Sequence, residues 1–118
     1  MQFKDHKPIF LQIAERICDE ILGGKYPEGE RLPSVREYAA EVEVNVNTVV
    51  RSFEWLSQKG IIFNKRGMGY FASQGAKETV RESLREAFFQ DTLPEFVGQM
   101  QKLDITFEEV EQAMNTQP

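Results

Sequence analysis

Between Asn45 and Arg51 the run Asn-Val-Asn-Thr-Val-Val-Arg gathers amide, hydroxyl and guanidinium side chains within about two helical turns. Planar amides and guanidinium groups pair with base edges. Asn47 has the geometry to bond adenine, Val46 and Val50 can pack against thymine methyls, and Arg51 can serve a guanine or a phosphate. Thr48 and Asn45 suit phosphate contact or helix capping. Catalysis has no comparable footing. The lone His6, expected to be solvent-exposed, has no cysteine or second histidine with which to hold a metal. No nucleophile has a histidine partner, no phosphate-binding loop is present, and carboxylates alternate with bases on helix surfaces. No enzyme activity, cofactor or metal is expected.

A side chain reads a groove only if a rigid element carries it there, and the apolar pattern supplies the elements. Ile9, Ile13, Ile17 and Ile21 recur at every fourth position, with Phe10, Ala14 and Leu22 beside them and Gln12, Glu15, Arg16 and Asp19 elsewhere. That spacing predicts an amphipathic helix from Pro8 to Leu22, closed by Gly23-Gly24. Pro27-Glu28-Gly29 makes a turn, and Leu32 before Pro33 holds the chain extended. Ser34-Val35-Arg36-Glu37 is a capping box that opens a second helix with Val35, Tyr38, Ala39 and Val42 inward. Glu43-Val44-Asn45 is a short turn. Asn45 then caps a third helix that buries Val49, Phe53 and Leu56 and stops at Gly60. Ser52, Trp55 and Lys59 fall on the face opposite Phe53, which predicts Trp55 half-buried against the tail helices. Ile61-Ile62-Phe63 and Tyr70-Phe71-Ala72, separated by Asn64-Lys65-Arg66-Gly67-Met68-Gly69, form a hairpin. This order is that of a winged helix-turn-helix, whose second motif helix enters the major groove N-terminus first.

After the linker Ser73-Gln74-Gly75 the helical period returns. Val80, Leu84, Ala87 and Phe88 share a face to about Gln90, and Phe96, Val97, Met100 and Leu103 follow Pro94. Phe107, Val110 and Met114 lie in a last helix opened by a second capping box, Thr106 with Glu109. With Phe89, these are more large apolar groups than short helices bury alone. Leu84, Phe88, Phe89, Phe96, Val97, Met100, Leu103, Phe107, Val110 and Met114 therefore predict a homodimer. The expected fold is mainly α with a small β-hairpin: a winged helix-turn-helix over residues 1–75 and a helical dimerisation tail over 76–118.

Charge supports this division. Residues 1–75 hold ten basic and ten acidic side chains and residues 76–118 hold four and nine, so the net −5 falls wholly in the tail. Residues 44–72 set Arg51, Lys59, Lys65 and Arg66 against Glu54 alone. Such a modest basic patch suits a dimer whose two copies share the attraction to phosphate. Cys18 is single, which excludes an internal disulfide, and its setting between Ile17 and Asp19 reads as a small apolar filler. No apolar run is long enough to span a membrane and no leader pattern opens the chain, so a cytoplasmic location is expected.

Gly29, Leu32-Pro33-Ser34-Val35-Arg36, Val44, Asn47-Thr48-Val49, Leu56, Gly60 and Gly67-Met68-Gly69 together resemble the N-terminal domain of the GntR family of bacterial transcription regulators. The resemblance implies that Ser34 and Arg36 lie in a DNA-contacting segment, that Lys65 and Arg66 reach toward the minor groove, and that Gly67 contacts DNA through its backbone. The family's usual Gly-x-Gly-Thr-Phe becomes Gly67-Met68-Gly69-Tyr70-Phe71, so no role carries over to Tyr70. The large ligand-binding members have far longer C-terminal domains. This short helical tail, with Lys102-Leu103-Asp104-Ile105-Thr106-Phe107-Glu108-Glu109-Val110, resembles instead the small YtrA subfamily, whose tail is a dimerisation device and whose members often control transporter operons.

The expected function is a dimeric repressor bound to double-stranded DNA at a palindromic operator. Any effector would act at an interface and change the spacing of the two heads, and the sequence names none. The competing reading is a winged-helix protein-interaction module with an acidic tail and an incidental basic patch. Steep salt dependence of DNA binding, with loss on Arg36→Ala, separates the two.

Overall fold

The computed structural model describes residues 7–117, so His6 lies outside the described residues. The chain divides into two compact units, Met1–Glu82 and Ser83–Pro118.

The first unit contains helices α1 (Ile9–Leu22), α2 (Val35–Val42) and α3 (Val46–Gln58), strands β1 (Ile62–Lys65) and β2 (Gly69–Ala72), and the start of α4 (Ala76–Ala87). Helix α1 buries Ile13, Ile17 and Ile21, with Ala14 and Cys18 beside them. Ile9, expected on that stripe, is instead 45 % exposed. Gln12 takes an inward position, where its Nε2 donates to the Lys7 carbonyl at 2.9 Å; a buried amide is tolerated when it is hydrogen-bonded. Burial first, then the charges of Asp19 and Glu15, pushes the Cys18 thiol up to about 12.

Tyr38 of α2 and Phe53 of α3 meet edge-on at 6.1 Å in the core, among Ile13, Ile17, Val49 and Leu56. Ser52 corrects the expected outer face of α3: it is fully buried. Its Oγ lies 2.6 Å from the Phe10 carbonyl oxygen and 3.1 Å from that of Thr48. A small side chain here lets the α1 backbone approach, and its hydroxyl satisfies itself against that backbone. Trp55 is half-buried on the core of this same unit, with Lys59 Nζ 5.4 Å from its ring centroid.

β1 and β2 are antiparallel, with Ile62 opposite Ala72 and Lys65 opposite Gly69. An unforeseen third extended segment adds to β2. The Gly29 amide donates to the Ala72 carbonyl at 2.8 Å, Ala72 donates to Glu30 at 2.9 Å, and Leu32 donates to Tyr70 at 2.9 Å. Arg31 thereby pairs with Phe71. Ala76 and Val80 belong to this unit's core, so the compact unit runs past the linker into α4.

In the second unit the helix continues through Pro94. Residues Phe88–Thr92 form a π-helical turn that leads directly into α5 (Leu93–Lys102), and α6 (Phe107–Asn115) follows. The expected break near Gln90 is absent because the bonding widens there: the Leu93 amide donates to the Phe88 carbonyl, five residues back. Pro94 then sits near the start of α5, where a missing amide is tolerated. Asp104, at φ 55°, closes α5, with Ile105 N–H donating to Met100 at 2.9 Å. Thr106 Oγ1 accepts from the Glu109 amide at 3.2 Å, but the return bond of a full capping box is absent among the described residues.

Candidate nucleic-acid interface

The α3 N-terminus is fixed by its cap. Asn45 Oδ1 accepts from the Asn47 amide at 2.8 Å, so the Asn45 side chain is engaged in capping while that of Asn47 stands exposed. One turn further on, Arg51 is exposed with its Cζ 4.3 Å from the Phe10 ring centroid. The aromatic face holds the guanidinium at one height on the helix and leaves its donor edge to solvent. Val50 and Thr48 are half-buried. Val46 is also half-buried and packs against the core, which restricts how much of it a thymine methyl could meet.

Helix α2 opens with the complete capping box. The Ser34 amide donates to Glu37 Oε1 at 2.9 Å and the Glu37 amide donates to Ser34 Oγ at 3.1 Å. The backbone bond from Ser34, then its side-chain bond, holds the Glu37 carboxyl below its usual value, with a smaller contribution from Arg31. At the other end of this helix Glu41 Oε1 is 3.5 Å from Lys25 Nζ, and Lys25 also reaches Glu20 at 3.0 Å. Glu20 accepts in turn from the Tyr38 hydroxyl at 2.8 Å, tying α2 to α1. With both nearby carboxylates engaged, Arg36 is exposed and has no ion pair among the described residues.

Wing geometry follows from a glycine turn and two aromatics. The Met68 amide donates to the Lys65 carbonyl at 2.8 Å, and Gly67 adopts φ 77° within that turn. Lys65 and Arg66 are exposed there, Lys65 Nζ lying 5.5 Å from the Phe71 ring centroid. Tyr70 meets Phe53 edge-on at 5.0 Å, so the phenol anchors the wing to the core. The ion pairs divide the cations of residues 7–75. Lys7, Arg16 and Lys25 are paired, whereas Arg31, Arg36, Arg51, Lys59, Lys65 and Arg66 have no ion pair among the described residues. This set lies before α2, on α2, on α3 and at its C-terminal end, and in the wing.

Sequence reasoning missed Arg31, Phe10 and Ser52. Only Arg31 had a local signal, its place one residue before the inward Leu32 in an extended segment.

The tail residues meet in the second unit. Among the described residues from 83 to 117 none is buried. Phe88, Phe96, Val97, Met100, Phe107, Val110 and Met114 line one groove of about 530 Å³, with Thr92 and Leu93 completing it. Leu84, Phe89 and Leu103 lie outside the groove and are exposed.

A helix pair with a capped, exposed second helix, a basic wing beside it and a helical tail define a winged helix-turn-helix protein. Residues 10–71 match the family described as bacterial regulatory proteins, gntR family. The chain belongs to the GntR family, whose members are DNA-binding transcriptional regulators. It is 36 % identical to the HTH-type transcriptional regulator YhcF of Bacillus subtilis (strain 168), over 98 % of this chain and 93 % of that protein. It is 40 % identical to the HTH-type transcriptional repressor YtrA of the same strain, over 64 % of this chain and 58 % of the repressor. The crystal structure of a GntR-family regulator from Bacteroides thetaiotaomicron is similar at a TM-score of 0.76 and 44 % identity, covering 92 % of this chain and 94 % of that one. These relatives are transcription regulators, not enzymes. No helix among the described residues is long and apolar enough to cross a membrane.

Proposed function

We propose that the protein is a dimeric, cytoplasmic repressor that binds a palindromic operator, of the kind that controls a transporter-type operon. The observation that carries this reading is the partition of the cations of residues 7–75, with every one that lacks an ion pair on or beside the helix-turn-helix and wing. Phosphate would be met by Arg36 and the amides at the start of α2, including that of Ser34, and by Lys65, Arg66 and the Gly67 backbone in the wing. Asn47, Arg51, Val50 and, over a smaller area, Val46 face the base edges, while Asn45 and Thr48 frame the helix end. The exposed apolar tail supports pairing of two copies, which would present two recognition helices to two half-sites. Repression is supported by the similarity to YtrA, itself named a repressor.

Fluorescence anisotropy with a labelled duplex from the protein's own promoter, a scrambled duplex and two salt concentrations tests the reading. Tight, salt-sensitive binding to the promoter duplex alone is expected. Equal, weak binding to both duplexes overturns operator recognition.

A further inference from the structure

We propose that Arg31 is a DNA-phosphate contact that joins the α2 end of the interface to the wing, an inference that rests on the head being a DNA-binding surface. Arg31 lies on the third extended segment, opposite Phe71 of β2. Its neighbour Leu32 is 2 % exposed and points into the core, so strand alternation turns Arg31 outward. The guanidinium lies beside Gly69. A Cβ built on that glycine would lie 3.0 Å from Arg31 Nε and 3.4 Å from one terminal nitrogen. Gly69 also adopts φ 106°, which L side chains rarely accept, so the backbone that turns the wing also leaves the space for Arg31.

Two features point the group at a ligand outside the protein. Arg31 is exposed and has no ion pair among the described residues. It lies beside Gly69 of the wing and opposite Phe71, three residues before the cap of α2, and its charge lowers the Glu37 carboxyl in the first turn of that helix. Both elements approach the sugar-phosphate backbone in this architecture, and an exposed guanidinium can offer two parallel donors to one phosphate. Lying at the base of the wing and not on α3, Arg31 contributes affinity without sequence preference.

The test compares wild type, Arg31→Ala and Arg31→Lys on promoter and scrambled duplexes across a salt series. Arg31→Ala is expected to weaken binding to both duplexes by the same factor, about tenfold per bound head at 0.1 M salt. The slope of log K against log salt should become shallower by about 0.9 per head. Arg31→Lys should keep most of that slope while losing part of the affinity, because a point charge replaces a bidentate fork. Unchanged melting curves for both variants show the head still folds. An Arg31→Ala protein with wild-type affinity and slope overturns the assignment, as does a loss confined to the promoter duplex, which would mark a base contact. A wild type that binds neither duplex brings down the DNA reading itself, and Arg31 with it.

Discussion

Truncating Phe107 measures the proposed pairing of tails. This ring opens α6, lines the groove and is 68 % exposed in the single protomer. A phenylalanine presents on the order of 200 Å², which leaves about 130 Å² for a partner to cover. At about 25 cal/mol per Å², complete cover is worth about 3 kcal/mol, and two-thirds cover about 2. A symmetric interface contains the ring twice, so Phe107→Ala should cost the dimer about 4 kcal/mol, or roughly a thousandfold in Kd. Sedimentation over a concentration series reads this directly, and the far-ultraviolet spectrum confirms that the helices remain. A dimer Kd within threefold of wild type, with Met114→Ala equally silent, would refute the groove as the interface. Salt gives a second check. Each tail carries the net −5, so added salt should tighten pairing while it loosens DNA binding. A dimer that weakens with salt would mean that ion pairs, not apolar cover, hold it.

Four other outcomes follow from the head. Ser52→Ala should lower stability by about 1–2 kcal/mol in denaturant titration, because the buried hydroxyl bridging α3 to the Phe10 carbonyl is lost. Phe10→Leu should weaken promoter binding about threefold by releasing Arg51 from its aromatic seat; wild-type affinity in Phe10→Leu alongside a large loss in Arg51→Ala would show the stacking to be idle. Glu37 has a folded-state pKa below its usual 4.5, so the stability it contributes is present above that value and lost as pH falls through the depressed one. Melting temperature against pH should show that acid limb in wild type and not in Glu37→Gln, which keeps the cap but cannot titrate. With its thiol pushed up to about 12, Cys18 should resist a thiol reagent at pH 8 until denaturant unfolds the head, and rapid labelling of the native protein would contradict its burial.

The winged helix-turn-helix was legible in the sequence where its signals were local. Ser34 and Glu37 are three residues apart, Asn45 caps the helix that begins beside it, and Val49, Phe53 and Leu56 form one stripe; each is decided within a turn or two of backbone. The candidate base-facing residues of α3 came from the same local reading. The tail was legible as an excess of apolar side chains, but its helices were broken at Gln90, because a proline reads as a stop unless the preceding turn widens to accommodate it. Gln12 was misplaced for a related reason: at a helix start a carbonyl just outside the helix can draw a polar side chain inward. By itself the sequence therefore determined the three helices, the short turn and the hairpin of residues 8–72, since hydrogen bonds between near neighbours settle those choices. Only the tertiary structure decided that Ser52 faces α1, that Phe10 lies beneath Arg51, and that Arg31 lies beside Gly69. Those contacts join residues some forty positions apart, and their geometry exists only once the core has brought the distant backbones together.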